Sequence, residues 1–216
     1  MRFSMSLALA VLVALTGTSG AVADGMRPTD YVRPDGSALV RSRQDGDIYL
    51  LRGFADVFSR GLDELGRKLE QKGIRVHVIG HAAWEAAAAD IARNQKQGHR
   101  PVILIGHSLG ANAAILIAKR LRKENIAVQY LVTLAATTPD PVPDNVGKVD
   151  NYYFETNGWG EKVVGGAGFH GEIDNKDYSQ AHDVGHFNID KQADIQEQVI
   201  RNVLRYIQPS KGKAAS

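Results

Sequence analysis

The chain has 216 residues, of which 44% are hydrophobic and 23% are charged, values close to the averages of globular proteins. This composition excludes a disordered chain, a collagen and a coiled coil, and the length suits one domain with its own core. Lysine and arginine number 26 against 24 acidic residues, a net charge of +2, so the charge does not favour binding to nucleic acid or to an anionic membrane. The absence of cysteine excludes disulfides, thiolate metal sites and a cysteine nucleophile.

The first residues have the pattern of an export signal. Arg2 precedes the apolar run Leu7–Leu15, and small residues follow as far as Ala23. This order of positive, apolar and A-x-A segments is typical of a secretory signal peptide that is cut after Ala23. The apolar run is too short to span a bilayer, which needs about 20 residues. We therefore expect a signal peptide at 1–23 and a periplasmic or secreted protein with no integral membrane segment after cleavage.

Composition divides the remaining chain into three parts. Residues 24–46 are polar and contain several prolines and glycines, so we expect an N-terminal arm with one weak strand near Ser37–Arg43. Residues 47–208 have the regular pattern of a folded domain. The small, polar residues at 209–216 predict a flexible tail.

Within the predicted domain, short apolar runs alternate with segments of helical spacing. The predicted strands are Ile48–Leu51, Ile74–Ile79, Pro101–Ile105, Val128–Leu134, Val149–Phe154 and a short one near Gly171–Asp174. The predicted helices are Ser59–Lys72, Trp84–Gln97, Leu109–Lys123 and a last one that runs from Asp190, its expected N-cap, to Ile207. Apolar strands separated by helices predict an α/β fold, with a mostly parallel sheet of about six strands and helices on both faces. The carboxyl ends of parallel strands share one edge, where ligands bind.

The segment Gly106–Gly110 carries the motif G-x-S-x-G with Ser108 at its centre. The motif lies between the predicted strand Pro101–Ile105 and the predicted helix Leu109–Lys123, which is the context of a nucleophile elbow. The glycines allow a sharp turn between closely packed backbones, and Ser108 is expected to be strained, with its hydroxyl above the sheet. The start of the following helix places positive dipole where an oxyanion would form. The pattern therefore predicts a serine nucleophile.

With this motif in this context, the chain from Asp47 to Ile207 resembles the α/β-hydrolase superfamily, and within it the small lidless lipases, esterases and thioesterases. The resemblance implies a three-layer fold without a cap domain and the chain order nucleophile, acid, histidine. It implies that His186, which follows Gly185 before the last helix, is the general base that takes the proton of Ser108. His182 is the competing candidate for the base, although no glycine precedes it.

The acid of the implied triad is open at this point. The resemblance places a carboxylate in the loop after Val149–Phe154, and that loop contains no aspartate. Some relatives take the acid from the loop after the preceding strand, where Asp140 lies, and we therefore rank Asp140 first. The remaining candidates are Glu155, Asp177, Glu161 and, as an uncharged partner of the imidazole, Asn157.

The resemblance also implies an oxyanion hole formed by the backbone amides of Leu109 and Phe54. Phe54 follows Arg52-Gly53, which stand where many relatives have His-Gly. His182 and His186 have the H-x-x-x-H spacing of zinc ligands on a helix. An intervening glycine disfavours a helix there and no glutamate follows the first histidine, so we expect neither a metal nor a cofactor.

Three classes of function agree with these residues. The first is a hydrolase of small acyl esters or lipids, lipase- or carboxylesterase-like, with thioesters ranked lower because carrier thioesters are chiefly cytoplasmic. The second is an acyltransferase that uses the same acyl-enzyme, and the third is a non-catalytic binding protein on the hydrolase scaffold. We expect a monomer. The candidates for the lining of an acyl groove are Trp159, Val163, Val164 and Phe169.

Overall fold

The computed structural model describes residues 46–54, 59–156 and 159–207. The expectations for the signal peptide at 1–23, the weak strand near Ser37–Arg43 and the tail at 209–216 fall outside these residues. None of the helices in the described ranges is long and apolar enough to cross a membrane.

Among the described residues, six strands form one sheet in which every neighbouring pair is parallel. In chain order they are β1 (Asp47–Arg52), β2 (His77–Gly80), β3 (Val102–His107), β4 (Val128–Leu134), β5 (Val146–Tyr153) and β6 (Glu172–Asp177). Their order across the sheet is β2-β1-β3-β4-β5-β6. The predicted α/β class and parallel sheet are confirmed.

The same part of the chain contains four α-helices. They are α1 (Arg60–Glu70), α2 (Trp84–Gln95), α3 (Leu109–Arg122) and α4 (Ala193–Ile207). The connection 135–145 between β4 and β5 is short, and no cap covers the edge of the sheet in the described ranges.

The two faces of the sheet carry separate apolar clusters. Successive side chains of a strand point to opposite faces, so Ile48 and Leu50 pack with α1 and α4, whereas Tyr49 and Leu51 pack with α2 and α3. Both faces are covered, which explains why the apolar residues of β1 are consecutive, from Ile48 to Leu51, rather than at alternate positions. The expected three-layer architecture is confirmed.

The strand boundaries differ from the predictions where the apolar residues and the residues that pair with a neighbouring strand are not the same. Ile74 is buried in the core but precedes β2, because the first residue of this strand to pair with β1 is His77. β5 begins three residues earlier than predicted, at Val146, since it continues through Gly147 and Lys148, which interrupt the apolar pattern. β6 lies at the edge of the sheet, where a strand can remain polar.

The expected N-cap role of Asp190 is wrong. The last helix begins at Ala193, and Asp190 lies in a preceding 3-10 turn. Its Oδ2 accepts the N–H of Gly61 at 2.8 Å, so it caps α1 instead, where the helix dipole favours a carboxylate. Burial raises the pKa of Asp190 to about 6. This contact joins the start of α1 to the segment that follows His186.

Candidate active site

The turn between β3 and α3 has the geometry of a nucleophile elbow. Ser108 has φ 57° and ψ −124°, a strained conformation for a residue with a side chain. Its N–H donates to the carbonyl of Leu134 at the end of β4, at 2.9 Å, which anchors the turn to the sheet. Ser108 therefore lies at the carboxyl edge of the strands.

The glycines on either side of Ser108 allow two close backbone approaches. A Cβ atom on Gly106 would lie 2.2 Å from the carbonyl oxygen of Gly110, across the turn. A Cβ atom on Gly110 would lie 2.0 Å from the carbonyl oxygen of Leu51, so α3 meets the end of β1 backbone to backbone. No larger residue fits at either position without a shift of main chain.

The loop after β6 brings His186 to Ser108. Its Nε2 lies 3.0 Å from Ser108 Oγ, and both side chains are buried. The structure thus brings together the serine of the motif and the histidine that the resemblance favoured, rather than His182.

The other ring nitrogen of His186 is held by a backbone group. Nδ1 forms a hydrogen bond with the carbonyl oxygen of Trp159. A carbonyl only accepts, so Nδ1 carries the hydrogen and Nε2 is left unprotonated in the neutral ring. This tautomer allows Nε2 to accept the hydroxyl hydrogen of Ser108, as a general base must.

The structure does not bring Asp140, the acid ranked first, to His186. The Asp140 carboxylate faces Lys119 Nζ at 2.7 Å in an exposed ion pair. Glu155 forms an ion pair with Lys162 at 2.9 Å.

Asp177 and Glu161 are not the partner of Nδ1 either. Asp177 accepts hydrogen bonds from Ser179, including one from its hydroxyl at 2.6 Å, and Glu161 is exposed. Asn157 lies outside the described residues. No sequence pattern predicts this role for Trp159, because the contact uses its backbone carbonyl, a group that every residue carries.

Contacts of the neighbouring residues fix the position of the Trp159 carbonyl. The N–H of Glu161 donates to the carbonyl of Ala136 at 2.7 Å, and Asn151 Nδ2 donates to the carbonyl of Glu161 at 3.0 Å. A Cβ atom on Gly160 would lie 3.0 Å from Ala135 Cα, so this segment packs directly on the end of β4. Contacts with the edge of the sheet therefore hold in place the carbonyl that orients His186.

A cavity of about 400 Å³ opens next to Ser108. Its lining residues are Gly53, Phe54, Ser59, His107, Ser108, Leu109, Thr137, Trp159, His186 and Phe187. The two residues predicted to supply the oxyanion donors, Leu109 and Phe54, are both among them. Leu109 is the first residue of α3, where a backbone N–H has no acceptor within the helix.

Three exposed aromatic side chains surround the mouth of this cavity. Phe54 is 68% exposed, Trp159 66% and Phe187 50%, and we call these three residues the aromatic rim. The rings of Trp159 and Phe187 meet edge to face, with centroids 5.9 Å apart. Large apolar side chains grouped in this way around a cavity are typical of a binding site for apolar ligands.

The structure brings only one of the predicted groove residues to the cavity. Trp159 lines it, whereas Val163 is buried in the core beneath α2 and α3, and Phe169 packs against the same cluster. Val164 is exposed, but it is not part of the cavity lining. Phe187, which was not predicted, takes part instead because it follows His186 on the same loop.

The segment that carries the elbow matches a known family. A model of the thioesterase domain matches residues 81–147, which include β3, Ser108 and α3. The chain has an α/β-hydrolase-type fold. The resemblance predicted from the motif is thus confirmed, and the thioesterase match indicates a hydrolase of acyl esters or thioesters on this scaffold. The match covers less than half of the chain, and a search of curated proteins gave no match.

Proposed function

We propose that this α/β-hydrolase-type protein is an exported serine hydrolase that cleaves carboxylic acyl esters through an acyl-enzyme on Ser108. The observation that carries the proposal is the 3.0 Å contact between Ser108 Oγ and His186 Nε2 at a strained elbow. A strained serine in hydrogen-bond contact with a histidine of the correct tautomer is the arrangement that activates a hydroxyl nucleophile.

The first half of the reaction forms the acyl-enzyme. Ser108 Oγ attacks the ester carbonyl while His186 Nε2 takes the hydroxyl proton, and the amides of Leu109 and Phe54 donate to the developing oxyanion. The tetrahedral intermediate collapses, and His186 gives its proton to the departing alkoxide. In the second half, His186 takes a proton from water, the hydroxide attacks the acyl carbon, and the acid leaves as Ser108 regains its proton.

The carbonyl of Trp159 orients the imidazole in this scheme but supplies no full negative charge. A carboxylate in that position also stabilises the imidazolium that forms during the reaction, and its removal costs about 10⁴-fold in a serine protease. A carbonyl dipole retains the orienting part of this effect. We therefore expect a slower enzyme than one with a complete triad.

The aromatic rim indicates which part of the substrate lies at the mouth of the cavity. Phe54, Trp159 and Phe187 offer apolar surface at the cavity mouth, where an acyl chain bound to Ser108 would emerge. Burial of each methylene of such a chain contributes roughly 0.8 kcal/mol. We expect preference for acyl groups long enough to reach these rings.

The match to the thioesterase domain favours thioesters as a second candidate substrate class. The export pattern at 1–23 supports oxygen esters, because carrier thioesters are chiefly cytoplasmic. Acyl transfer to an alcohol would use the same acyl-enzyme. Oxygen esters and thioesters of the same acyl chain, with and without an added alcohol, separate the three reactions by their products.

The proposal is tested by labelling with a fluorophosphonate and by a matched substrate series. Mass spectrometry of the purified protein is expected to find one adduct, on Ser108, and p-nitrophenyl esters are expected to be hydrolysed faster as the chain lengthens to reach the aromatic rim. Cleavage of thioesters alone would move the assignment to thioesterase. A folded protein that gives no adduct and no turnover would favour the binding-protein class.

Exchange of Asp140 for asparagine is expected to change kcat/KM for ester hydrolysis by no more than about twofold, because an exposed ion pair contributes only about 0–1 kcal/mol. Lys119→Gln breaks the same pair from the other side and is the matched control. If Asp140 were the acid of the triad, its variant alone would lose about 10⁴-fold in rate. Steady-state kinetics of both variants decide between the two outcomes.

A further inference from the structure

His107, the residue before the nucleophile, makes two hydrogen bonds that the proposed mechanism does not use. Its side chain is 1% exposed. Nδ1 lies 2.8 Å from Ser59 Oγ, and Nε2 lies 2.6 Å from the backbone carbonyl oxygen of His186. The sequence predicts no functional role for His107, since nothing in the motif indicates where its ring points.

The chemistry of the partners fixes the direction of each bond. The carbonyl of His186 only accepts, so Nε2 of His107 carries the hydrogen and Nδ1 accepts the hydroxyl hydrogen of Ser59. Ser59 Oγ in turn accepts the N–H of Gly53 at 2.8 Å. Burial lowers the pKa of His107 to about 4, so the ring is neutral at neutral pH, as these directions require.

These bonds join three segments that are far apart in the chain. We call the chain of bonds from Gly53 N–H through Ser59 and His107 to the carbonyl of His186 the buried relay. One end lies beside Phe54, a predicted oxyanion donor, and the other end holds the main chain of the general base. His107, at the centre of the relay, is adjacent to Ser108 in the chain. The relay therefore connects the segments that carry Phe54, Ser108 and His186.

The relay contributes to the orientation of His186 because a carbonyl, rather than a carboxylate, contacts Nδ1 of its ring. In this structure the ring of His186 is oriented by the carbonyl of Trp159, and its main chain is held by Nε2 of His107. No acidic side chain in the described ranges forms a hydrogen bond with this ring. The direction of Nε2 toward Ser108 therefore depends on main-chain contacts, and His107 supplies one of them.

We propose that His107 is a positioning residue that holds the main chain of His186, and with it the general base, in line with Ser108. The inference rests on the proposed hydrolase function, because it describes the same site. His107 touches no substrate in this role. It acts through the carbonyl of His186 and, by way of Ser59, on the loop that carries Phe54.

Two amide substitutions separate the two bonds of His107. Glutamine can place its amide N–H near the position of Nε2, which keeps the donor to His186. Asparagine can place its amide oxygen near the position of Nδ1, which keeps the acceptor for Ser59 and loses the donor. We expect His107→Asn to lower kcat about 10²-fold, the loss that a displacement of about 1 Å can cause, with little change in KM. His107→Gln is expected to retain most of kcat.

The controls distinguish a failure of this inference from a failure of the proposed function. Wild-type protein that neither reacts with a fluorophosphonate nor hydrolyses esters would overturn the function itself. Active wild type together with equal kcat in the Asn and Gln variants, both folded by circular dichroism, would overturn the positioning role. If kcat falls in both variants in proportion to their loss of thermal stability, His107 has only a structural role and the proposal is overturned.

A measurement on the wild type covers variants that fail to fold. Nitrogen-15 NMR of histidine-labelled protein at pH 6 is expected to find one ring as the neutral Nε2–H tautomer with a strong hydrogen bond at each nitrogen. This resonance is assigned to His107 if it persists in variants in which each of the other histidines is replaced. A positively charged ring, or hydrogen on Nδ1, would contradict the directions of the relay and overturn the proposal.

Discussion

Replacement of Ser108 by alanine is expected to lower kcat/KM by at least about 10³-fold. In a serine protease, removal of the nucleophile costs about 10⁶-fold and leaves a residual 10³–10⁴-fold acceleration over water from the oxyanion hole and binding. The loss here should be smaller than in that enzyme, because His186 is oriented by a carbonyl rather than by a carboxylate. Ester hydrolysis by the purified variant, measured at high enzyme concentration, gives the ratio.

The fold should survive this substitution. Alanine keeps the Cβ atom of Ser108, so the strain at φ 57° is unchanged and only the contact with His186 is lost. We expect the free energy of unfolding to change by less than about 1 kcal/mol. Ser179→Ala, which removes a hydroxyl outside the cavity lining, is the matched control and should retain wild-type kinetics. Undiminished hydrolysis by the Ser108 variant would assign the chemistry to another nucleophile.

Replacement of Gly110 by alanine is expected to produce the largest loss of stability of any single methyl group added near the site. Its Cβ atom would lie 2.0 Å from the carbonyl oxygen of Leu51 and 2.8 Å from that of Arg52. Both contacts are with backbone, so no side-chain rotation relieves them, and α3 must move away from β1. Overpacking of a tight core site costs about 1–3 kcal/mol and more where main chain must shift, so we expect a loss of at least about 3 kcal/mol.

Gly147→Ala is the matched control for this prediction. Gly147 lies in β5, and a Cβ atom there comes no closer than 3.4 Å to any neighbour, the nearest being the carbonyl oxygen of Gln129. A strand glycine changed to alanine without a clash is expected to shift stability by less than about 1 kcal/mol. Urea denaturation of both variants gives the two values. Equal stabilities would mean that α3 and β1 do not pack as closely as the structure has them.

Movement of α3 would also affect the site before the protein unfolds. α3 begins at Leu109, directly after Ser108, and β1 leads into Gly53 and Phe54. A folded Gly110 variant should therefore react more slowly with a fluorophosphonate than the Gly147 variant does. The two glycine variants test whether the packing of this helix sets the geometry of the elbow.

Features that depend on local pattern were predictable from the sequence. The limits of β4 were predicted without error, because all its residues are apolar or β-branched apart from Gln129 and Tyr130. The position of Ser108 at an elbow also follows from local order, since the motif G-x-S-x-G lies between a buried strand and a helix. Polar β6 was predicted less well, because its order comes from pairing with β5 rather than from burial.

The sequence alone determined the α/β class, the elbow and the residue expected to act as nucleophile, because hydrophobic period and glycine placement act over a few neighbouring residues. Only the tertiary structure decided which groups surround His186. Its ring meets the carbonyl of Trp159 and its own carbonyl meets His107, which is 79 positions away in the chain. Backbone carbonyls are present at every residue, so only the folding of distant loops onto one sheet edge selects the ones that hold His186 in place.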